Sequence, residues 1–365
     1  LTPAVALMAK IHAQRVHQLH AAGGALSLLL ALVCAITGGG FNALLAGVAS
    51  VLVFLSAGRV ALRSEPRYDG AVAPQETAAL DAKAALDETL LAYFVGVADI
   101  PAGPEAEARS IEATRMVAAL HEHGWANQPE RFHQLPPPPL AVAVDAARHR
   151  GIHFERIRYD SGFVPRPELP GARAWMQLPN NRQSVLRVFR HAGAPRPWLM
   201  CIHGYRMGHD WIDFGLFPPA VLHKKMGFNL LLPTLPLHGP RKVGSSSGDG
   251  FLDGNLLTLI HSQTQALWDL RRALAWLRDR EPDARVGVYG VSLGGYNAAL
   301  LAGYEAELDF VLAGVPLTDV AGVLWRHLPQ LHRHFYAQHG LTEASYRAMA
   351  GVVSVSYTHL TLPTK

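Results

Sequence analysis

The sequence predicts an α/β protein with a mostly parallel central sheet, helices on both faces, and a hydrophobic helical hairpin ahead of it. Three observations predict this. Strand and helix patterns alternate from residue 141 to 354, one strand runs through Gly-x-Ser-x-Gly into a small-residue helix, and residues 21–58 contain no Asp, Glu, Lys or Arg.

Composition narrows the function classes. At 365 residues, 49% hydrophobic and 17% charged, the chain is long enough for one large domain or two ordinary ones with a real core. The formal charge of +4, from 33 Lys and Arg against 29 Asp and Glu, is spread along the chain, so no basic block marks a nucleic-acid surface. Two cysteines, Cys34 and Cys201, form neither a disulfide framework nor a zinc site. The 19 histidines include the pairs His121/His123 and His332/His334. On a helix, positions i and i+2 point in different directions, and neither pair has a third ligand at metal-site spacing; no metal is expected.

The charge-free run splits at Gly38-Gly39-Gly40 into two halves, each near the lower length for crossing a bilayer, about 17 residues. Lys10 and Arg15 precede the run and Arg59, Arg63 and Arg67 follow it, while the glycine turn carries no charge. By the positive-inside rule, residues 1–63 are expected to form a membrane hairpin with both ends, and the domain that follows, cytoplasmic; a single span or uncleaved signal anchor, a buried soluble hairpin and a signal peptide are the alternatives. Leu86, Leu90, Phe94 and Val97 then recur at helical spacing, and a second helix runs from Glu105 to His123. Residues 64–140 are read as a helical linker that ends at the extended run Pro136–Pro139.

Beyond the prolines, Ile152–Tyr159 and Ser184–His191 alternate as half-buried strands, and Trp198–Ile202 is a continuous apolar run suited to a central strand. Further strands are expected from Phe228, at Arg285–Gly290 and from Phe310, with a helix between Leu259 and Arg280. Gly290-Val291-Ser292-Leu293-Gly294 lies between such a strand and a helix. A serine on so sharp a turn needs neighbours without bulk, and the helix start aims free N–H groups at a developing oxyanion. His203-Gly204 follows the central strand, where a second oxyanion donor is expected.

With these two motifs in order, residues from about Ile152 to about Asp319 resemble the α/β-hydrolase superfamily. The resemblance implies Ser292 as nucleophile and the backbone N–H groups of Tyr205 and Leu293 as the oxyanion hole, with His203, Gly204, Gly290 and Gly294 as supporting residues. It implies a serine esterase, lipase-like enzyme or thioesterase that uses no cofactor and acts on a small acyl ester, lipid-like if the hairpin holds it at a membrane. Peptidases and acyltransferases share the elbow, and a noncatalytic hydrolase-fold binding protein is the rival reading. His238 and the loop Gly244–Asn255 are read as parts of a pocket rim, the loop as flexible.

The order Ser, acid, His requires two more groups downstream. Asp319, at the end of the last expected strand, is the candidate acid, while His327, His332, His334 and His339 fall in helical pattern. Residues Val355–Lys365 read as the translation of a sequencing-library transposon adapter, which removes His359 from consideration. The hydrolase domain, 141–354, is therefore expected to be truncated, and the chain itself to turn over little for lack of its histidine.

Overall fold

The apolar runs become buried strands and the 3.6-residue repeats become the helices that cover them. The computed structural model describes residues 13–64, 75–96, 103–252, 256–328 and 330–355. Lys10, Arg67, His359 and nearly all of the adapter-like run lie outside the described residues. The chain divides into two compact units, residues 1–98 with 329–331, and the remainder.

In the first unit, α1 (Ala13–Ile36) and α2 (Gly40–Ser64) form a hairpin, joined by α3 (Ala78–Gly96). Small residues let the helices approach: Ala21, Ala57 and Ala85 share a buried cluster, and a Cβ on Gly58 would overlap the Asp81 carbonyl. Arg59 pairs with the buried Asp81 at 2.9 Å and Arg63 with Glu76 at 3.1 Å, both at the open end of the hairpin. Elsewhere its surface is apolar, with Leu29, Leu30, Phe41, Leu44 and Leu52 all more than half exposed. Val16–Ile36 and Gly40–Ser64 are each long and apolar enough to cross a membrane.

The second unit begins with α4 (Gly103–Glu122), so the two helices read as one linker fall in different units. Met116 and Leu120 of α4 belong to the main hydrophobic core of this unit, and Pro136–Pro139 runs through it without regular structure. Seven strands follow: β1 (Ala143–His149), β2 (Ile152–Asp160), β3 (Gln183–Phe189), β4 (Trp198–Ile202), β5 (Asn229–Pro233), β6 (Val286–Val291) and β7 (Phe310–Gly314). They form one sheet in the order β1-β2-β3-β5-β4-β6-β7. The pairings from β1 to β5 through β2 and β3 are antiparallel, and those linking β5, β4, β6 and β7 are parallel. The sheet is therefore mixed, and its parallel part carries the site.

Alternation along the strands sorts side chains onto two faces. Met200, Ile202, Leu231 and Val288 join the larger core, which includes the long helix α7 (Leu256–Arg280) and α8 (Leu293–Ala302). Leu199, Cys201, Leu230 and Leu232 face the other way, toward Phe214 on α6 (Asp210–Leu216) and Phe217. A one-turn helix, α5 (Ala172–Met176), precedes β3. After β7 come α9 (Val320–His327), α10 (Gln330–Gln338) and α11 (Glu343–Ala350). Helices on both faces of a largely buried sheet are the architecture the alternation implied, and the chain has the α/β-hydrolase fold.

Candidate active site

Ser292 stands in the turn between β6 and α8, exposed, with φ 58° and ψ −117°. A serine with positive φ is held against its own steric preference, a strain that costs about 1–3 kcal/mol and must be imposed by its surroundings. Those surroundings are tight. A Cβ on Gly290 would overlap the Gly294 carbonyl, and one on Gly294 would overlap the Ile202 carbonyl at the end of β4. The strand, the helix and the neighbouring strand can thus meet only because both glycines lack side chains. The turn is closed by Tyr296 N–H donating to Ser292 O at 3.0 Å, and the Ser292 N–H donates to Gly314 O of β7 at 2.9 Å. Leu293 occupies the first position of α8, where an N–H has no intrahelical acceptor.

The His203-Gly204 loop lies beside this turn: a Cβ on Gly204 would sit 3.4 Å from Val291 O and 3.8 Å from the Ser292 Cβ. His203 is buried, and its Nδ1 lies 2.9 Å from Gly204 O while its Nε2 accepts the Leu235 N–H at 3.0 Å. Since Nε2 is an acceptor, the proton is on Nδ1, which donates to Gly204 O. Burial pushes the imidazole below the ordinary histidine value, against the opposing pull of Asp213, so the neutral form is the resident one. Both ring nitrogens of His203 are thus engaged within the loops.

Three loops interlock here. Ser247 donates to Met207 O and accepts the Gly239 N–H at 2.8 Å, Gly248 N–H donates to Leu237 O at 2.9 Å, and Arg206 pairs with Asp249 at 2.8 Å. The Gly244–Asn255 loop, read from its composition as a flexible rim, is over its described part fastened to the loop after β4, with Ser247 and Phe251 buried. His238 lies at the centre, its ring 5.0 Å from His203 and 5.2 Å from Phe251. Its Nδ1 donates to Pro236 O at 2.8 Å, and its buried Nε2 has no hydrogen-bond partner among the described residues. Burial, with His203 adjacent, holds this imidazole well below the usual histidine range.

Two charged pairs in the surroundings were not singled out from the sequence. Arg241 donates to Asp269 at 2.7 Å and to Thr234 O and Asn181 O, both at 2.9 Å, while Asp269 also accepts from Ser161 at 2.6 Å and Ser184 at 3.0 Å. This network ties α7 and β3 to the loop after β5. Arg187, on β3, pairs with Asp213 of α6 at 2.6 Å. The one signal for it was a charge inside "SVLRVF", a strand otherwise buried on both faces.

The structure brings Ser292, Leu293, Gly204 and His203 together, but among the described residues not Asp319 with a histidine. Asp319 caps α9, accepting the Gly322 N–H at 2.9 Å, and makes a two-pronged ion pair with Arg347 at 2.9 and 3.0 Å. His327, His332 and His334 fall on α9 and α10, with His339 just beyond. Among the described residues the Ser292 hydroxyl has no hydrogen-bond partner.

No family model matches the chain. It is 37% identical over 257 residues to an uncharacterized protein of Mycobacterium tuberculosis strain CDC 1551 / Oshkosh, covering 70% of this chain and 62% of that protein. A second uncharacterized protein, from strain ATCC 25618, is 39% identical over 221 residues, covering 60% of this chain and 53% of its own. The chain therefore spans between half and two thirds of the length of the curated relatives it matches. Among solved structures, acetyl xylan esterase 1 of Thermoanaerobacterium sp. JW/SL YS485 is similar at TM-score 0.41 and 16% identity, over 64% of this chain and 78% of that one. An acetyl xylan esterase from Paenibacillus sp. R4 gives TM-score 0.40 and 16% identity, over 67% and 74%. Identity at this level leaves the chemistry to be read from the chain's own residues.

Proposed function

We propose that the protein is a serine hydrolase that cleaves a carboxylic ester or thioester through an acyl-enzyme on Ser292. The observation that carries the reading is the strained backbone of Ser292, exposed at a strand-to-helix turn beside the Gly204 loop. In this reading the Ser292 oxygen attacks the acyl carbonyl while the Tyr205 and Leu293 amides hold the resulting oxyanion, and water later releases the acid. The chemistry requires no metal and no organic cofactor.

The proton acceptor is not the buried His203, which is already bound through both nitrogens, so the reading requires another histidine as base. Asp319 keeps its place as candidate acid only if it can leave Arg347. The apolar hairpin supports membrane attachment with the hydrolase unit on the cytoplasmic side, and with it a lipid-like ester as substrate.

A fluorophosphonate probe tests the nucleophile. Ser292 is expected to label slowly, faster with added imidazole as a surrogate base, and Ser292→Ala to abolish labelling. A folded protein that takes no label under either condition favours the noncatalytic binding reading. Steady ester turnover by the 365-residue chain, lost in Ser292→Ala, would place a working base inside it.

A further inference from the structure

Asp213 is fully buried and Arg187 nearly so, at 0% and 2% exposure. Asp213 Oδ2 meets Arg187 Nη2 at 2.6 Å, and its Oδ1 accepts the Gly208 N–H at 3.0 Å. Asp210 meets Arg187 at 3.4 Å and Arg156 at 3.0 Å, so two arginines and two aspartates balance in charge. An ion pair taken wholly out of water gains little over a well-packed apolar pair, because desolvation offsets the attraction. Its consequence lies in what it holds. Gly208 ends the loop that begins at His203, and it is clamped from the other side as well, since a Cβ on Gly239 would overlap the Gly208 carbonyl. His203 fixes the near end of the loop through Leu235, and Asp213 fixes the far end. Few residues lie between these two anchors, and Tyr205 is one of them.

We propose that Arg187 and Asp213 are a positioning pair that sets the Gly204–Gly208 backbone and, resting on the hydrolase reading above, the place of the Tyr205 amide over the oxyanion. Neither residue touches the reacting atoms. Arg187 orients the Asp213 carboxylate, and the carboxylate orients the loop through one buried N–H.

The test replaces the pair by an apolar one of similar volume, Arg187→Met with Asp213→Leu, in the full chain. Arg187→Met alone leaves the buried Asp213 carboxylate without its cation, and Asp213→Leu alone leaves Arg187 only the more distant Asp210, so each is expected to compromise folding; the double change is expected to restore a thermal midpoint near that of the parent. In that folded double variant, fluorophosphonate labelling of Ser292 is expected to slow by about tenfold or more, since misplacing a site by about 1 Å can cost about a hundredfold. Amide hydrogen exchange across residues 204–208 is expected to speed by a similar factor. Asp213→Asn, which keeps an acceptor for Gly208, is expected to retain most of the protection in that loop wherever it folds.

A folded double variant with parental labelling and parental exchange overturns the proposal. Faster exchange with parental labelling overturns the catalytic half, because the pair would then be purely structural. If the parent takes no label at all, the hydrolase reading falls, and exchange alone decides whether the pair holds the loop: unchanged protection overturns it and lost protection upholds it.

Discussion

Toward β4, Ser292 borders the His203–Gly208 loop, which is locked to the loops after β5 by Ser247, Arg206, Asp249, His203 and the Gly208–Gly239 contact. Toward β7 it borders a strand that has only β6 as a neighbour among the described residues, with Leu312 53% and Val315 82% exposed. On the proposed hydrolase reading, the contrast separates two requirements of acyl transfer. Holding an oxyanion demands rigid donors, and the β4 side is built to be rigid; accepting a proton demands a base, and the β7 side presents Asp319 already committed to Arg347 and a helix cap.

The locked side can be broken most severely at Gly294. Valine there would drive a Cβ into the Ile202 carbonyl, a backbone collision that no rotamer relieves. A loss of about 3 kcal/mol or more, or no folded protein, is expected from urea denaturation of Gly294→Val. A parental midpoint would refute the packing described for the turn.

Acid should destabilise the second unit, on the locked side through His203 and His238 and away from it through His133. His203 and His238 are held neutral by burial, and His133, which bonds Val352 O at 2.7 Å, is pushed down to about 4. Each native value lies below the unfolded one of about 6.5, so on acidification the unfolded chain takes up protons first. The associated stability is complete above about pH 6.5 and is lost as pH falls toward 4, on the order of 3 kcal/mol for His133. Calorimetry at fixed ionic strength should show a falling melting temperature from pH 7 to 5. A flat profile would contradict the buried neutral assignment.

On the open side the effects are smaller and discriminate between roles. Asp319→Asn keeps a capping side chain and loses an exposed ion pair, so a stability change within about 1 kcal/mol and unchanged Ser292 labelling are expected. A large loss of labelling would instead restore Asp319 as the catalytic acid. Smallest of all, Leu312→Lys on the exposed strand should shift stability by at most about 0.5 kcal/mol while raising the concentration at which the protein aggregates, read by light scattering.

How much of this was legible follows from the range of the interactions. β4 and β5 were readable because strands covered on both faces must be continuously apolar, and the turn at Ser292 because glycine contacts within five residues leave a local motif. β1 was missed: "AVDAARH" is an exposed edge, with small and charged residues in place of an apolar alternation. The loop after Val243 looked flexible because Ser and Gly are flexible in isolation, whereas the groups that fasten it, Met207 and Arg206, lie about forty residues away. Arg187 and Asp213 share no motif at all, and only the tertiary fold puts one across from the other.

The Ser292 N–H donates not to its own helix or strand but to Gly314, the last residue of β7. The turn at Ser292 therefore hangs from a strand with one paired neighbour among the described residues, and fraying of that strand releases the serine amide before it disturbs the loops opposite. That single proton is a gauge: its exchange rate reads how often the edge of the sheet lets go, and a molecule that seals the edge would slow it without touching the hydroxyl.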